Sequence, residues 1–106
     1  MESEEKIRNL QILEQSLHNL MMQKQAFRME LAETNAALKE IQNSTDDVYK
    51  IISQLMIKVR REEVKKELEE KKRLFDLRIQ SIEKQEQEFE KRADSLRKDV
   101  FKTTKK

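Results

Sequence analysis

Apolar residues recur at alternating steps of three and four along two long stretches of this chain, and nothing constrains its fold more. In the first, roughly Glu4 to Asn43, the seam runs through Leu10, Leu13, Leu17, Leu20, Phe27, Leu31, Leu38 and Ile41, with Lys24 and Thr34 in the two slots that break it. In the second, roughly Glu62 to Lys102, Leu68, Phe75, Ile82, Phe89 and Leu96 recur every seven residues. Ile79, Ala93 and Val100 share the companion position with polar Lys72 and Glu86. Such spacing keeps one stripe of a helix turned toward a partner, which is the pattern of a coiled coil. About 40 residues at ~1.5 Å each make a helix of about 60 Å, too long to be the core helix of a small globule.

Composition agrees. Charged residues make up 42% of the 106, and there is no Gly, Pro, Cys or Trp. Turns usually draw on Gly and Pro, so a chain without either has few turns. Disorder is the competing reading for so polar a chain, and the sustained heptads argue against it.

Between the two seams, Val48 to Val59 reads VYKIISQLMIKV and drops the helical period. Leu55, Ile57 and Val59 alternate with Met56, Lys58 and Arg60, the period-two pattern of a half-buried strand. Val48-Tyr49-Lys50-Ile51 is a second strand candidate, and Ile52-Ser53-Gln54 the turn, without a Gly to take φ > 0. A flexible, partly helical linker is the alternative. Asn43-Ser44-Thr45-Asp46-Asp47 ends the first helix, because short polar side chains compete for its backbone groups. The expected fold is mainly α: an antiparallel two-helix coiled-coil hairpin (4–43 and 62–102) joined by a β-hairpin (48–59), all in one domain spanning 1–106. A lone two-stranded hairpin is marginal in water, and its edges invite pairing. It is therefore expected to join others in a shared sheet or barrel.

Folding back about this hairpin places opposite each other residues whose numbers sum to about 106–110. Lys24 then lies near Glu86, so the polar breaks in the two seams fall at similar height and can fix register. Ser3 caps the first helix, with Glu4 and Glu5 in its first turn; Glu62 and Glu63 open the second. Glu62–Lys66, Glu67–Lys71, Glu69–Arg73 and Glu88–Arg92 are spaced as helix-surface ion pairs. At the far ends, Ile7, Ile12 and Phe101 lie off the seams and exceed what two helices can bury. They mark a sticky tip, against the alternative of fraying and scattered surface apolars. Thr103 to Lys106 form a short basic tail, expected to be disordered.

Much chemistry is excluded. A phosphate-cradling loop needs glycine. Without cysteine there is neither a disulfide framework nor a thiolate metal site. His18 is alone, on the outer face of its helix, and Ser16, Ser81 and Ser95 have no partner base. No catalytic residue, cofactor or metal is expected. No apolar run approaches the length of a membrane span, and the acidic MESEEKIRNL lacks the order of a signal peptide. A cytosolic location is the default. Basic clusters such as Lys58-Val59-Arg60-Arg61 alternate with glutamates, and net charge is only +2; neither nucleic acid nor a membrane is an expected partner.

The block Val48-Tyr49-Lys50, Leu55-Met56-Ile57-Lys58-Val59 and Glu62-Glu63-Val64-Lys65-Lys66-Glu67-Leu68-Glu69-Glu70-Lys71 resembles β-class subunits of prefoldin. So do Arg78-Ile79, Glu83-Lys84-Gln85-Glu86, Gln23-Lys24-Gln25 and Glu40-Ile41, and the resemblance covers nearly the whole chain. The family usually has Gly at the hairpin turn where this chain has Ser53, so a strained or widened turn is expected. The resemblance implies a hexamer of two α-class and four β-class subunits, whose hairpins form β-barrels with coiled coils hanging from them. It implies that the coiled-coil tips hold non-native polypeptides without ATP and deliver them to a group II chaperonin. Tyr49, Ile51, Leu55, Ile57 and Val59 are then the assembly residues. Ile7, Leu10, Leu13, Leu96, Val100 and Phe101 are the client-contact candidates. A purely structural coiled coil that dimerises through its seams is the second reading.

Overall fold

The computed structural model describes residues 2–104. Helix α1 (Glu2–Asn43) leads to strands β1 (Val48–Ile52) and β2 (Leu55–Val59), and helix α2 (Arg61–Thr104) follows. Thr103 and Thr104 continue α2, in place of the disordered tail expected from Thr103 onward; Lys105 and Lys106 lie outside the described residues. Both helices begin with carboxylates in the first turn, at Glu2, Glu4 and Glu5 in α1 and Glu62 and Glu63 in α2, where the dipole favours negative charge.

The heptad seams are where burial occurs. Every seam position of α1 from Leu10 to Ile41 is buried or half-buried, the polar Lys24 and Thr34 included. In α2 the same holds from Leu68 to Val100, with Lys72 as the exception. Lys72 is exposed, because a long flexible stem can carry its ammonium out to water.

The chain divides into two compact units, Met1–Ala26 with Ile79–Lys106, and Phe27–Arg78. In the first unit the helical segments run antiparallel, since Lys24 meets Glu86 while Glu14 meets Arg97. Leu20, Ile79 and Ile82 are buried there, and Ala93 has no exposed surface at all. A methyl side chain at that position allows close approach of the helices. Lys24 Nζ donates to Glu86 Oε1 at 2.7 Å, with 17% and 19% of the two side chains exposed. Lys24 and Glu86, one polar break from each seam, thus satisfy each other.

In the second unit Leu38 and Thr34 are buried. The Thr34 hydroxyl donates to the Glu30 carbonyl at 2.8 Å, which satisfies a polar group that would otherwise be costly to bury. The Phe27 and Phe75 rings lie 6.1 Å apart, and the Arg78 guanidinium sits 5.6 Å from the Phe27 centroid.

Strands β1 and β2 pair antiparallel, from Val48 opposite Val59 to Ile52 opposite Leu55. The connection is therefore the two residues Ser53 and Gln54, and Ile52 belongs to the strand, not to the turn. Ser53 adopts φ 57°. A positive φ at the first central residue only is the pattern of a type II′ turn, where glycine is the usual choice. Serine there carries about 1 kcal/mol of strain. The turn is thus strained and not widened.

Candidate functional site

A strand alternates its side chains between faces, so the register divides the hairpin in two. One face carries Val48, Ile52, Leu55, Ile57 and Val59 around Lys50; the other carries Tyr49, Ile51 and Met56 beside Lys58. Both faces are apolar, and the chain covers neither. Ile51 is 71% exposed, Leu55 67% and Met56 68%. Only Val48 and Val59, where the hairpin joins the rest of the chain, are half-buried. In addition, each strand has a neighbour on one side only, so its outer edge offers free backbone donors and acceptors.

The expected assembly residues therefore do not share one surface. Tyr49 and Ile51 lie on one face, and Leu55, Ile57 and Val59 on the other. Ile52 and Met56 share these faces and are exposed as well, and the expectation did not include them. The sequence hides Ile52 because the apparent turn, Ile52-Ser53-Gln54, starts one residue too early. Met56 was read only as the polar phase of the β2 alternation, though its side chain is apolar.

Each face holds one lysine, and each lysine is answered by a carboxylate of the same chain. Lys50 Nζ lies 3.0 Å from Glu67 Oε1, and Lys58 Nζ 3.4 Å from Asp47 Oδ2. These pairs are exposed and add little stability, but they leave each face near neutral, as burial against another apolar surface requires. Glu67 thus serves the hairpin and not the expected partner Lys71.

Several hydrogen bonds tie the junction beneath the hairpin. Ser44 N–H donates to the Glu40 carbonyl at 3.0 Å, and Asp46 N–H to the Ser44 hydroxyl at 3.1 Å. The Arg61 guanidinium donates to two carbonyls, of Ile41 and of Asp46. Sequence inspection gave no sign of this role, since Arg61 is one of 23 Lys and Arg residues.

At the helix ends, Leu10, Leu13, Leu96 and Val100 are half-buried in the seams, whereas Ile7 and Phe101 are exposed. Ile12, off the seam and 58% exposed, joins Leu13 and Leu96 along a shallow groove of about 580 Å³ rimmed by Asn9, Lys91, Arg92 and Ser95. Further exposed apolar side chains stand at Met22, Met29, Leu74 and Leu77. His18 is exposed. Among the described residues no cluster of three or more His, Cys, Asp or Glu is placed to hold a metal ion, and no helix is long and apolar enough to cross a membrane.

Comparison with known proteins bears on this geometry. A family model described as "Prefoldin subunit" matches residues 4–106. The chain is 34% identical over 88 residues to prefoldin subunit beta of Archaeoglobus fulgidus, covering 81% of this chain and 76% of that one. It is 36% identical over 89 residues to prefoldin subunit beta of Methanothrix thermoacetophila, covering 82% and 74%. In three dimensions it is similar to the crystal structure of the prefoldin beta subunit from Thermococcus strain KS-1, with a TM-score of 0.90, 27% identity and coverage of 99% and 94%. The beta2 subunit of the same strain shares the fold at a TM-score of 0.74 and 18% identity, over 84% of this chain and 97% of that one. Two seamed helices joined by a bare β-hairpin, matched in sequence and in backbone to these proteins, show that this chain belongs to the prefoldin subunit family.

Proposed function

We propose that this chain is the β-type subunit of an ATP-independent cochaperone that holds non-native polypeptides and delivers them to a group II chaperonin. The observation that carries the reading is the hairpin, apolar on both faces and covered on neither by its own chain. In water that surface favours association. Its occupants are the hairpins of α-class prefoldin subunits and of further β copies, in a hexamer with a shared β-barrel body. The helix ends then project several tips toward one client. Ile7, Ile12 and Phe101 supply exposed apolar contacts there, beside the seam residues Leu10, Leu13, Leu96 and Val100. Each tip offers little area, so grip comes from several weak contacts acting together, which keeps it reversible. Neither the holding nor the transfer calls on a nucleotide or a catalytic group. The family relationship and the composition favour a cytosolic setting.

The test mixes the chain with an α-class prefoldin subunit, measures native mass, and follows aggregation of an unfolded protein without ATP. A hexamer that suppresses aggregation, and loses that activity when both helix ends are trimmed, is the expected result. A stable dimer indifferent to the α-class subunit and to the unfolded protein would leave a purely structural coiled coil.

A further inference from the structure

We infer that Arg61 is the positioning residue for assembly: it staples the two feet of the hairpin together, so that the hairpin meets a partner already oriented. The inference rests on the assembly role proposed above for the hairpin.

Helix α1 ends without the usual means of satisfying its last carbonyls. A helix leaves its final four C=O groups without partners inside the helix. Glycine in the left-handed conformation often closes such an end, and this chain has no glycine. A cation in the last turn is the other common device, and α1 has none there. Ser44 N–H reaches the Glu40 carbonyl, and Arg61 supplies a donor for the next one, Ile41, from elsewhere in the sequence. Its guanidinium donates through Nη1 to the Ile41 carbonyl, in the last turn of α1, and through Nη2 to the Asp46 carbonyl.

The positions of these three residues give the contact its consequence. Asp46 lies two residues before β1, and Arg61 two residues after β2. One side chain therefore bridges the end of α1, the segment leading into the hairpin and the residue leading out of it. A planar fork with several donors can hold two acceptors at once, which a lysine cannot do in the same geometry. The bonds of Ser44 and Asp46 at the junction stay within residues 40–46, and its two ion pairs, Lys50–Glu67 and Lys58–Asp47, are exposed and hold geometry weakly. Arg61 is half-buried, and its bond to the Ile41 carbonyl is part-buried, so that bond is less open to competition from water.

A binding element held in its bound orientation loses less freedom on association, and association that needs no prior rearrangement is faster. Arg61 therefore acts on the rate of assembly. Arg61 lies outside both strands and, on this inference, acts before contact is made, so the dissociation rate of the finished complex stays nearly unchanged.

The test compares the full-length wild type with Arg61→Ala and Arg61→Lys, by amide hydrogen exchange of each chain alone and by the kinetics of association with an α-class prefoldin subunit. In Arg61→Ala, amides of 48–59 are expected to exchange faster, with those around Leu20 and Ile82 unchanged. The association rate falls about tenfold, equivalent to ~1.4 kcal/mol, at an unaltered dissociation rate, and Arg61→Lys falls between. Equal association rates in all three chains overturn the staple. So does a loss of protection that extends to Leu20 and Ile82, because the residue then supports folding in general. A wild type that does not associate at all overturns the assembly reading, and this inference with it.

Discussion

The heptad seam and the hairpin are both rich in branched and long apolar residues, yet they meet opposite fates in the folded chain. Along the seam, Leu20, Ile82 and Ala93 are covered by the opposite helix of the same chain. On the hairpin, Ile51, Leu55 and Met56 stand in water. The difference is one of partners within reach. A helix that folds back on a second helix finds a complementary stripe at every turn. A two-stranded sheet has two faces and two open edges, and among the described residues the two helices, which cover each other's seams, lay nothing on them. Apolar content alone therefore does not mark an interface; apolar content beyond what the chain's own elements can cover does.

Five single substitutions and one double replacement sharpen or break that contrast, taken from the largest expected effect to the smallest. Leu20→Ala in the seam deletes a buried side chain and is expected to cost about 2–5 kcal/mol of stability, read from thermal unfolding by circular dichroism. A change near zero would mean that the seam is not a packed core. Ile51→Asp and Ile57→Asp test the two hairpin faces separately. Each is expected to leave the unfolding of the isolated chain within about 0.5 kcal/mol of wild type. Each is also expected to weaken assembly with an α-class subunit about a hundredfold, or ~2.7 kcal/mol. If only one of the two does so, the other face stays wet in the assembly.

Lys24→Ala leaves Glu86 without its partner inside the seam and is expected to cost about 1–3 kcal/mol. Replacing Lys24 and Glu86 together with Leu restores stability but is expected to lose the unique register, seen as more than one set of cross-helix crosslinks. A single register in that variant would remove the pair's specifying role. Ser53→Gly relaxes the positive φ and is expected to stabilise the hairpin by about 0.5–1 kcal/mol, measured as slower amide exchange across 48–59.

Much of this was legible in the sequence because periodicity carries it. The period of 3.5 placed both seams, and the height of Lys24 against Glu86 was readable from counting alone. The loss of that period at Val48 located the hairpin. What stayed hidden depended on single residues without a pattern. The turn lies at Ser53-Gln54, and no glycine announces it. Starting it one residue early, at Ile52-Ser53-Gln54, takes Ile52 out of the strand, and β-register decides which side chains share a face. Alternation alone therefore could not show that Tyr49 and Ile51 face away from Leu55, Ile57 and Val59. Arg61 was invisible for a different reason. Its partners are backbone carbonyls, which every residue has, so sequence holds no trace of the contact. The tips were partly legible, since Ile7, Ile12 and Phe101 break the seam, but which of them keep exposed surface is set by packing.

The central claim is that other subunits cover the hairpin while the helices cover their own seam. Hydroxyl-radical footprinting of the chain alone and mixed with an α-class prefoldin subunit tests it most directly, because it reads side-chain exposure one residue at a time. The account predicts that Tyr49, Leu55 and Met56 become protected on mixing, while Met22 and Met29, exposed on the helix surface, stay as reactive as before. Tyr49 and Met56 reacting equally in both samples, under conditions where the two proteins associate, would contradict it.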